Sequence, residues 1–210
     1  MNRVFCMVLW SILTISCMGK HQSDAQKVVA QPAAELTRGF GADTLSINTT
    51  KSKIDWIATE MRGAKSRTGK ISLIDGYFLT TNNEIAGGKF IVDMETMDVT
   101  DMPVHEKIAL KNLINHLKSD DFFNVAFYPV SILEITSVES LETDSLKISG
   151  NLSIREITRN IEFVARQNEK HFTAQFTFNR LDWNIAYEGS WADKTLIDKE
   201  VELSISVYVD

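Results

Sequence analysis

Cysteine is almost absent from this sequence of 210 residues, which contains only Cys6 and Cys17. Because both lie within the first 17 residues, a domain that follows them has no thiol for a disulfide framework or a cysteine nucleophile. Proline is also scarce, with 3 residues, and glycine contributes only 10. This composition excludes collagen, low-complexity sequence and wholesale disorder, so the fold must be held together by packing.

Positive charge is in deficit, with 22 Lys and Arg against 28 Asp and Glu and a formal net charge of −6. That sign opposes binding to a phosphate backbone, so no nucleic-acid partner is expected. Long apolar runs are missing as well. The uncharged run from Val4 to Ile15 is shorter than the roughly 20 residues that a membrane-spanning helix needs. We therefore expect one globular domain with accessory segments.

The residue spacings that catalytic and metal sites require are not found either. His105 and His116 would stand about 16 Å apart on one helix, too far to bind the same metal ion. No His-x-x-x-His, Cys-x-x-Cys, Gly-x-Ser-x-Gly or Gly-x-Gly-x-x-Gly motif occurs. We therefore predict no catalytic residue, no metal site and no cofactor, and the protein is not expected to be an enzyme.

The N-terminus has the pattern of an export signal. Residues 1–16 combine Arg3 with an apolar run, which is typical of a secretory signal peptide. The end of the run, Leu13 to Cys17, resembles the lipobox of bacterial lipoproteins, and this predicts lipidation of Cys17; plain signal cleavage is the alternative. Residues 17–42 are polar and predict a flexible tether with a reach of about 25 to 30 Å. The expected location is the bacterial periplasm or outer membrane, with a lipid anchor.

From Asp43 onward, apolar and polar residues alternate in segments typical of half-buried β-strands. Turn-forming residues separate about eight such segments. One stretch, about 102–118, instead carries apolar residues at helical spacing, with Asp101 as its expected cap. The pattern predicts a mainly β domain over residues 43–210, with eight antiparallel strands and one amphipathic helix. The strands would either close into a barrel or pack as a sandwich.

Four stretches carry a resemblance to a known family. The run His116 to Pro129 contains a helix ending in His-Leu-Lys-Ser, then Asp-Phe-Phe, then Tyr-Pro. Gly87 to Met94, Gly150 to Ile154 and Arg180 to Ile185 follow further patterns of the same family. Together they resemble the YceI-like family of exported bacterial proteins over about residues 43–210.

The resemblance implies a lipocalin-like, eight-stranded antiparallel barrel whose apolar cavity holds a polyisoprenoid or another lipid chain, without catalysis. A bound isoprenoid or fatty lipid would then be a ligand and not a cofactor, the membrane would be contacted through the lipid anchor, and homodimer formation is left open. Carried over to this sequence, the implied cavity-lining residues are Trp56, Phe90, Val92, Leu133, Leu152, Ile154, Phe163, Phe176, Phe178 and Trp183.

Three functions fit these observations. The first is an envelope lipoprotein that binds a long-chain isoprenoid or other amphiphile as carrier, reservoir or scavenger. The second is an adhesion or partner-binding module whose barrel interior is filled by its own side chains, and the third is an enzyme acting on an amphiphile. Basic residues could hold an anionic head group, or they could form a solvated rim: Arg62, Lys65, Arg67, Lys70, Arg155, Arg159 and Arg180.

Overall fold

The computed structural model describes residues 23–36, 43–141, 144–186 and 197–210. The predicted signal peptide of residues 1–16 and the predicted lipidation site Cys17 lie outside the described residues, as do residues 17–22 and 37–42 of the predicted tether.

The described residues form eleven strands and one α-helix. In chain order they are β1 (Gln26–Lys27), β2 (Gln31–Pro32), β3 (Asp43–Ser46), β4 (Lys53–Glu60), β5 (Lys65–Thr81), β6 (Glu84–Val99), α1 (Lys107–Lys118), β7 (Val130–Ser140), β8 (Ser145–Ile154), β9 (Ile157–Asn168), β10 (His171–Asn179) and β11 (Ile197–Tyr208). Short 3₁₀ turns occupy Val104–Glu106 and Arg180–Trp183.

The eight long strands, β4 to β11, form a closed antiparallel barrel. Each pairs with its neighbour in the order β10-β11-β4-β5-β6-β7-β8-β9, and β9 pairs again with β10. This confirms the predicted barrel and excludes the sandwich. β3 pairs with the C-terminal part of β5, Tyr77 to Thr80, and the following Ile47 bridges to Val209 after β11, so this segment extends the barrel wall in line with β4.

Side-chain alternation decides which residues face the interior. Along β9, Ile161, Phe163 and Ala165 are buried, whereas Glu162 and Val164 between them are exposed. Phe163 stacks on Phe176 of β10 with ring centroids 4.8 Å apart. Because successive side chains of a strand point to opposite faces, one face of each strand becomes the barrel interior.

Helix α1 is shorter than predicted. It begins at Lys107 and not near residue 102, because Val104–Glu106 form a 3₁₀ turn. The expected cap Asp101 lies before this turn, and its carboxylate pairs instead with Arg67, at 3.3 Å. The helix packs against β6 at one end of the barrel, and none of its side chains is fully buried.

Within the predicted flexible tether, residues 23–34 are paired with the barrel. β1 pairs in parallel with β10, and β2 pairs antiparallel with β9. The direct ladder between β9 and β10 runs only from Asn168 and His171 to Ala165 and Ala174. Beyond that point the two strands pair with the N-terminal segment, which we call the seam segment (residues 23–34). It bonds backbone groups that the separated strands would otherwise leave unpaired.

Two adjacent valines of the seam segment offer a test. Val28 is 8% exposed and belongs to the core, whereas Val29 is 67% exposed. We expect Val28→Ala to lower the free energy of unfolding by about 2 kcal/mol through lost apolar burial and the cavity left behind. Val29→Ala should leave it unchanged, and urea denaturation measures both. Equal effects of the two substitutions would show that the segment does not pack on the barrel.

Candidate functional site

The barrel interior contains two apolar cavities. The first, the helix-end cavity, has a volume of about 180 Å³ and lies under α1, while the second, the inner cavity, measures about 110 Å³. They share wall residues on four strands, namely Ile54, Val92, Leu152 and Leu203. Together they approach the lower bound of roughly 300 Å³ for small-molecule pockets.

Nine of the ten residues expected from the resemblance lie in these walls. The helix-end cavity is lined by Trp56, Val92, Leu152, Ile154 and Phe178. The inner cavity is lined by Phe90, Val92, Leu133, Leu152, Phe163 and Phe176. That any of them contacts a ligand stays a prediction.

Trp183 is placed differently from the expectation, because it lines neither cavity. It sits in the 3₁₀ turn after β10 and is fully buried. Its indole Nε1 donates a hydrogen bond to the Leu152 carbonyl at 3.0 Å, and its ring meets Phe178 edge-on at 5.4 Å. Trp183 therefore supports the wall residues Leu152 and Phe178 from behind.

The end wall of the helix-end cavity is formed by residues that were not among the expected cavity-lining residues. Leu113, His116 and Leu117 of α1 contribute to it, together with Phe122 and Phe123 of the following turn. Helical spacing marked an apolar face on α1, but it could not show which surface that face covers. The helix with its turn closes this end of the barrel.

Backbone hydrogen bonds hold the aromatic turn against the helix. The Phe123 amide donates to the Leu117 carbonyl at 3.1 Å, and the Val125 amide donates to the Lys118 carbonyl at 3.0 Å. Asn124 adopts a left-handed conformation with φ of 49°, which asparagine tolerates better than most residues. The neighbouring Phe122 and Phe123 rings, 5.2 Å apart, are therefore fixed over the cavity.

Trp56 is held in the wall by a glycine. Trp56 of β4 lies opposite Gly69 of β5. A Cβ atom at residue 69 would come within 2.2 Å of the indole Cζ2 and within 2.0 Å of the Asp98 carbonyl oxygen. The absence of a side chain at Gly69 therefore gives the indole its space.

Arg180 is the buried cation of the helix-end cavity, with 2% exposure. Its Nε and Nη2 atoms donate to the carbonyls of Asp198 and Ile197, both at 3.1 Å, and Nη1 donates to the Ile185 carbonyl. The guanidinium also lies 5.6 Å from the Phe122 ring centroid. Burial lowers the pKa of Arg180, and the Asp198 carboxylate opposes this shift.

The other basic residues divide into three groups. Arg155 donates to the carbonyls of Phe122 and Asn184, and Arg159 donates to that of Asp182, so both fasten loops to the barrel. Arg67 lines the helix-end cavity while paired with Asp101. The remaining three are exposed on the surface: Arg62, Lys65 and Lys70.

The two cavities both expose an almost wholly apolar surface, and they differ only in the types of residue around them. Among the described residues, the wall of the inner cavity contains no ionisable side chain, and Thr173 is its one polar member. The ionisable wall residues lie at the helix end, and they are Glu60, Arg67, His116 and Arg180.

Within the described ranges, no three His, Cys, Asp or Glu side chains come together as a metal site would require. No described helix has the length and apolar character needed to span a bilayer.

Comparison with known proteins identifies the family. The family model described as YceI-like domain matches residues 45–209, which is most of the chain. The chain belongs to the YceI-like family. A UPF0312 protein of Azotobacter vinelandii is 41% identical over 51 residues, which cover 24% of this chain and 27% of that protein. The match thus spans much less than half of this curated relative.

Two solved structures share the fold of this YceI-like chain. BcnA of Burkholderia cenocepacia is 17% identical, with a TM-score of 0.61 over 77% of this chain and 98% of that one. A polyisoprenoid binding domain from Saccharophagus degradans, implicated in plant cell wall breakdown, is 11% identical, with a TM-score of 0.57 over 79% and 97% of the two chains. At these identities the likeness shows the barrel fold.

Two glycines test the packing of the Trp56 wall. Gly69→Ala should lower the free energy of unfolding by about 2 kcal/mol, since the added methyl group overlaps Trp56 and the Asp98 carbonyl. Gly87→Ala is the matched control, because its Cβ would meet only Leu79, at an ordinary 3.5 Å. Urea denaturation followed by tryptophan fluorescence measures both variants. A Gly69→Ala protein as stable as the control would contradict the placement of the indole.

Proposed function

We propose that this protein binds a long-chain isoprenoid or a comparable amphiphilic lipid in its two adjoining cavities. The observation that carries the proposal is an apolar lumen with unfilled volume on both sides of Ile54, Val92, Leu152 and Leu203. The fold shared with the Saccharophagus polyisoprenoid binding domain supports it. We infer a binding function without catalysis, in which the protein acts as carrier, reservoir or scavenger.

Burial of the chain supplies the binding free energy. Each CH₂ group transferred from water to an apolar wall contributes about 0.8 kcal/mol, so a five-carbon isoprene unit contributes about 4 kcal/mol before association costs. A chain of a few units is enough for tight binding. Unfilled lumen volume also counts against the alternative of an adhesion module with a filled core.

The helix-end cavity is the part of the lumen that could enlarge to hold a longer lipid chain. Met94 and Met97 of β6 line the helix-end cavity beside α1, whose side chains are not fully buried. Methionine adapts readily to new shapes because its unbranched side chain has three rotatable bonds. We infer that rearranged methionines and a shifted α1 enlarge this cavity when the lipid enters.

We also propose that Cys17 carries a lipid anchor that holds the protein to a bacterial envelope membrane. The Ser23 hydroxyl lies 3.3 Å from that of Thr177 on β10, so the described chain contacts the barrel from residue 23 onward. At about 3.3 Å per residue, the link from Cys17 to Ser23 reaches at most about 20 Å. This length is shorter than the reach expected of a free tether. So short a link would keep the side of the barrel formed by β9 and β10 near the membrane.

Anchoring has a direct test. Cys17→Ala in the full chain should move the protein from the membrane fraction to the soluble fraction, because no acyl chain is attached. Cell fractionation with immunoblotting measures this, and Cys6→Ala is the control that should stay with the membrane. Unchanged membrane association of Cys17→Ala would contradict the anchor and leave lipid binding unaffected.

Lipid binding is tested by filling the inner cavity. Ala165 lines it, whereas the neighbouring Val164 is exposed on the outer face of β9. Ala165→Phe should weaken binding of a fluorescent long-chain probe about tenfold, the loss expected when roughly two CH₂ groups lose their place. Val164→Phe should bind like the wild type.

Mass spectrometry of organic extracts from the purified protein gives a second measurement. A long-chain lipid in the extract supports the proposal. An extract without lipid, together with no uptake of added prenyl chains, would overturn it.

A further inference from the structure

Large apolar side chains are exposed at the end of the barrel that α1 closes. They lie in α1 and in three turns of this end, and we call them the helix-end patch: Met61, Ile108, Phe127 and Leu181. Ile108 and Phe127 are the most exposed, at 79% each. Among the described turns of the opposite end, Leu141 after β7 is the one comparable residue. The two ends of the barrel therefore differ in the apolar surface that they present.

Ile108 points away from the barrel. Leu117 of the same helix lines the helix-end cavity. At about 3.6 residues per turn, some two and a half turns separate the two residues, so their side chains lie on opposite faces of α1. Because α1 covers the end of the barrel, the face that carries Ile108 is turned toward whatever lies beyond that end.

The turn between β4 and β5 holds Met61 exposed in an uncommon backbone conformation. Met61 and Arg62 have φ of 53° and 58°, in the left-handed region that few residues other than glycine adopt. The Asp198 carboxylate fixes this turn, because it accepts hydrogen bonds from the amides of Arg62 and Gly63 at 3.0 and 2.8 Å. The turn is thus ordered before it meets a partner, which reduces the entropy lost on binding.

The chain leads from the proposed anchor to the same end of the barrel. Ser23 contacts Thr177, which lies two residues before the end of β10, and the turn that follows β10 contains Leu181. The other end of β10, at His171, is about 20 Å farther away. A link of at most about 20 Å from Cys17 would therefore hold the helix end, and not the opposite end, toward the membrane.

Charges of both signs are exposed beside the helix-end patch. Lys107 and Lys111 are exposed on α1, and Asp120 and Asp121 are exposed directly after it. A partner recognised by charge would meet repulsion as well as attraction here. A lipid bilayer fits such a face, because apolar side chains enter the boundary between head groups and acyl chains while charged groups stay among the head groups.

We propose that the helix-end patch docks on a lipid bilayer, with Ile108 and Phe127 entering the boundary between head groups and acyl chains. This inference rests on the proposed lipid binding and anchoring, and it adds an orientation: the helix-end cavity faces the membrane with which the protein exchanges its lipid. A few inserted side chains bind a membrane weakly and reversibly. The patch therefore orients the protein and does not replace the anchor at Cys17.

A fluorescent label on single introduced cysteines tests the orientation. The full chain is mixed with vesicles of phosphatidylethanolamine and phosphatidylglycerol that contain a spin-labelled lipid, which quenches fluorophores within the bilayer. Labels at Ile108→Cys and Phe127→Cys should lose fluorescence, whereas labels at Leu141→Cys, at the opposite end, and Ile74→Cys, 51% exposed on the wall, should keep it. The unsubstituted chain, treated in the same way, gives the background from its own cysteines.

Uptake of a fluorescent long-chain probe from vesicles tests whether docking serves lipid exchange. Ile108→Ser and Phe127→Ser should each slow uptake about tenfold, the effect expected when a large apolar side chain no longer enters the membrane. Their affinity for the same probe in solution should be unchanged, because neither residue lines a cavity. Ile74→Ser is the matched control, and it should behave like the unsubstituted chain in both measurements.

The two measurements separate the docking surface from the proposed function. If the labels at residues 108 and 127 are not quenched, docking is overturned, while affinity for the probe in solution leaves lipid binding in place. If these labels instead quench each other in the absence of vesicles, the patch binds a second copy of the chain, and docking on a bilayer is again overturned. If the unsubstituted chain takes up no probe from vesicles or from solution, the proposed function is overturned, and the quenching by spin-labelled lipid still decides the docking.

Discussion

The closure of eight alternating strands into a barrel is the constraint on which the other features depend. Closure fixes the diameter of the interior, so the inward-facing side chains either fill the interior or leave a cavity. Trp56 fits because Gly69 has no side chain, while other stretches of the lumen stay unfilled. By the scaling of cavity costs, an unfilled 180 Å³ lowers stability by about 4 kcal/mol. A bound chain would restore the missing contacts, so binding and folding stability are linked.

The seam segment completes the ring of strands between β9 and β10. Where β9 and β10 separate, the Gln26 side chain donates to the Glu162 carbonyl at 3.4 Å and accepts from the Val164 amide at 3.0 Å, as a strand backbone would. Farther along, the Asn151 side chain exchanges two hydrogen bonds with the backbone of Ala34. The N-terminal segment is thus part of the barrel wall, and a pull on an anchor at its start would act on the β9 and β10 seam.

The barrel could be predicted because apolar and polar residues alternate along whole strands. Elements without such alternation were not predicted. Residues such as Phe172 and Phe176 could be assigned inward because alternation persists along a whole strand. β1 and β2 are two residues each, too short for any period, so their pairing could not be read from composition. Trp183 looked like a further inward aromatic residue. It leaves the lumen wall because the chain turns after Asn179, whose side chain accepts from the Leu181 amide.

The roles of the basic residues could not be assigned from the sequence. An arginine that binds a ligand cannot be distinguished there from one that binds the backbone of a loop. In the fold, Arg155 and Arg159 direct their donors to backbone carbonyls of turns, and Arg180 directs donors to backbone carbonyls at the start of β11. A cation used in this way supports the shape of the cavity and has fewer donors left for an anionic head group. Selection among lipids would then depend on the depth and shape of the apolar interior.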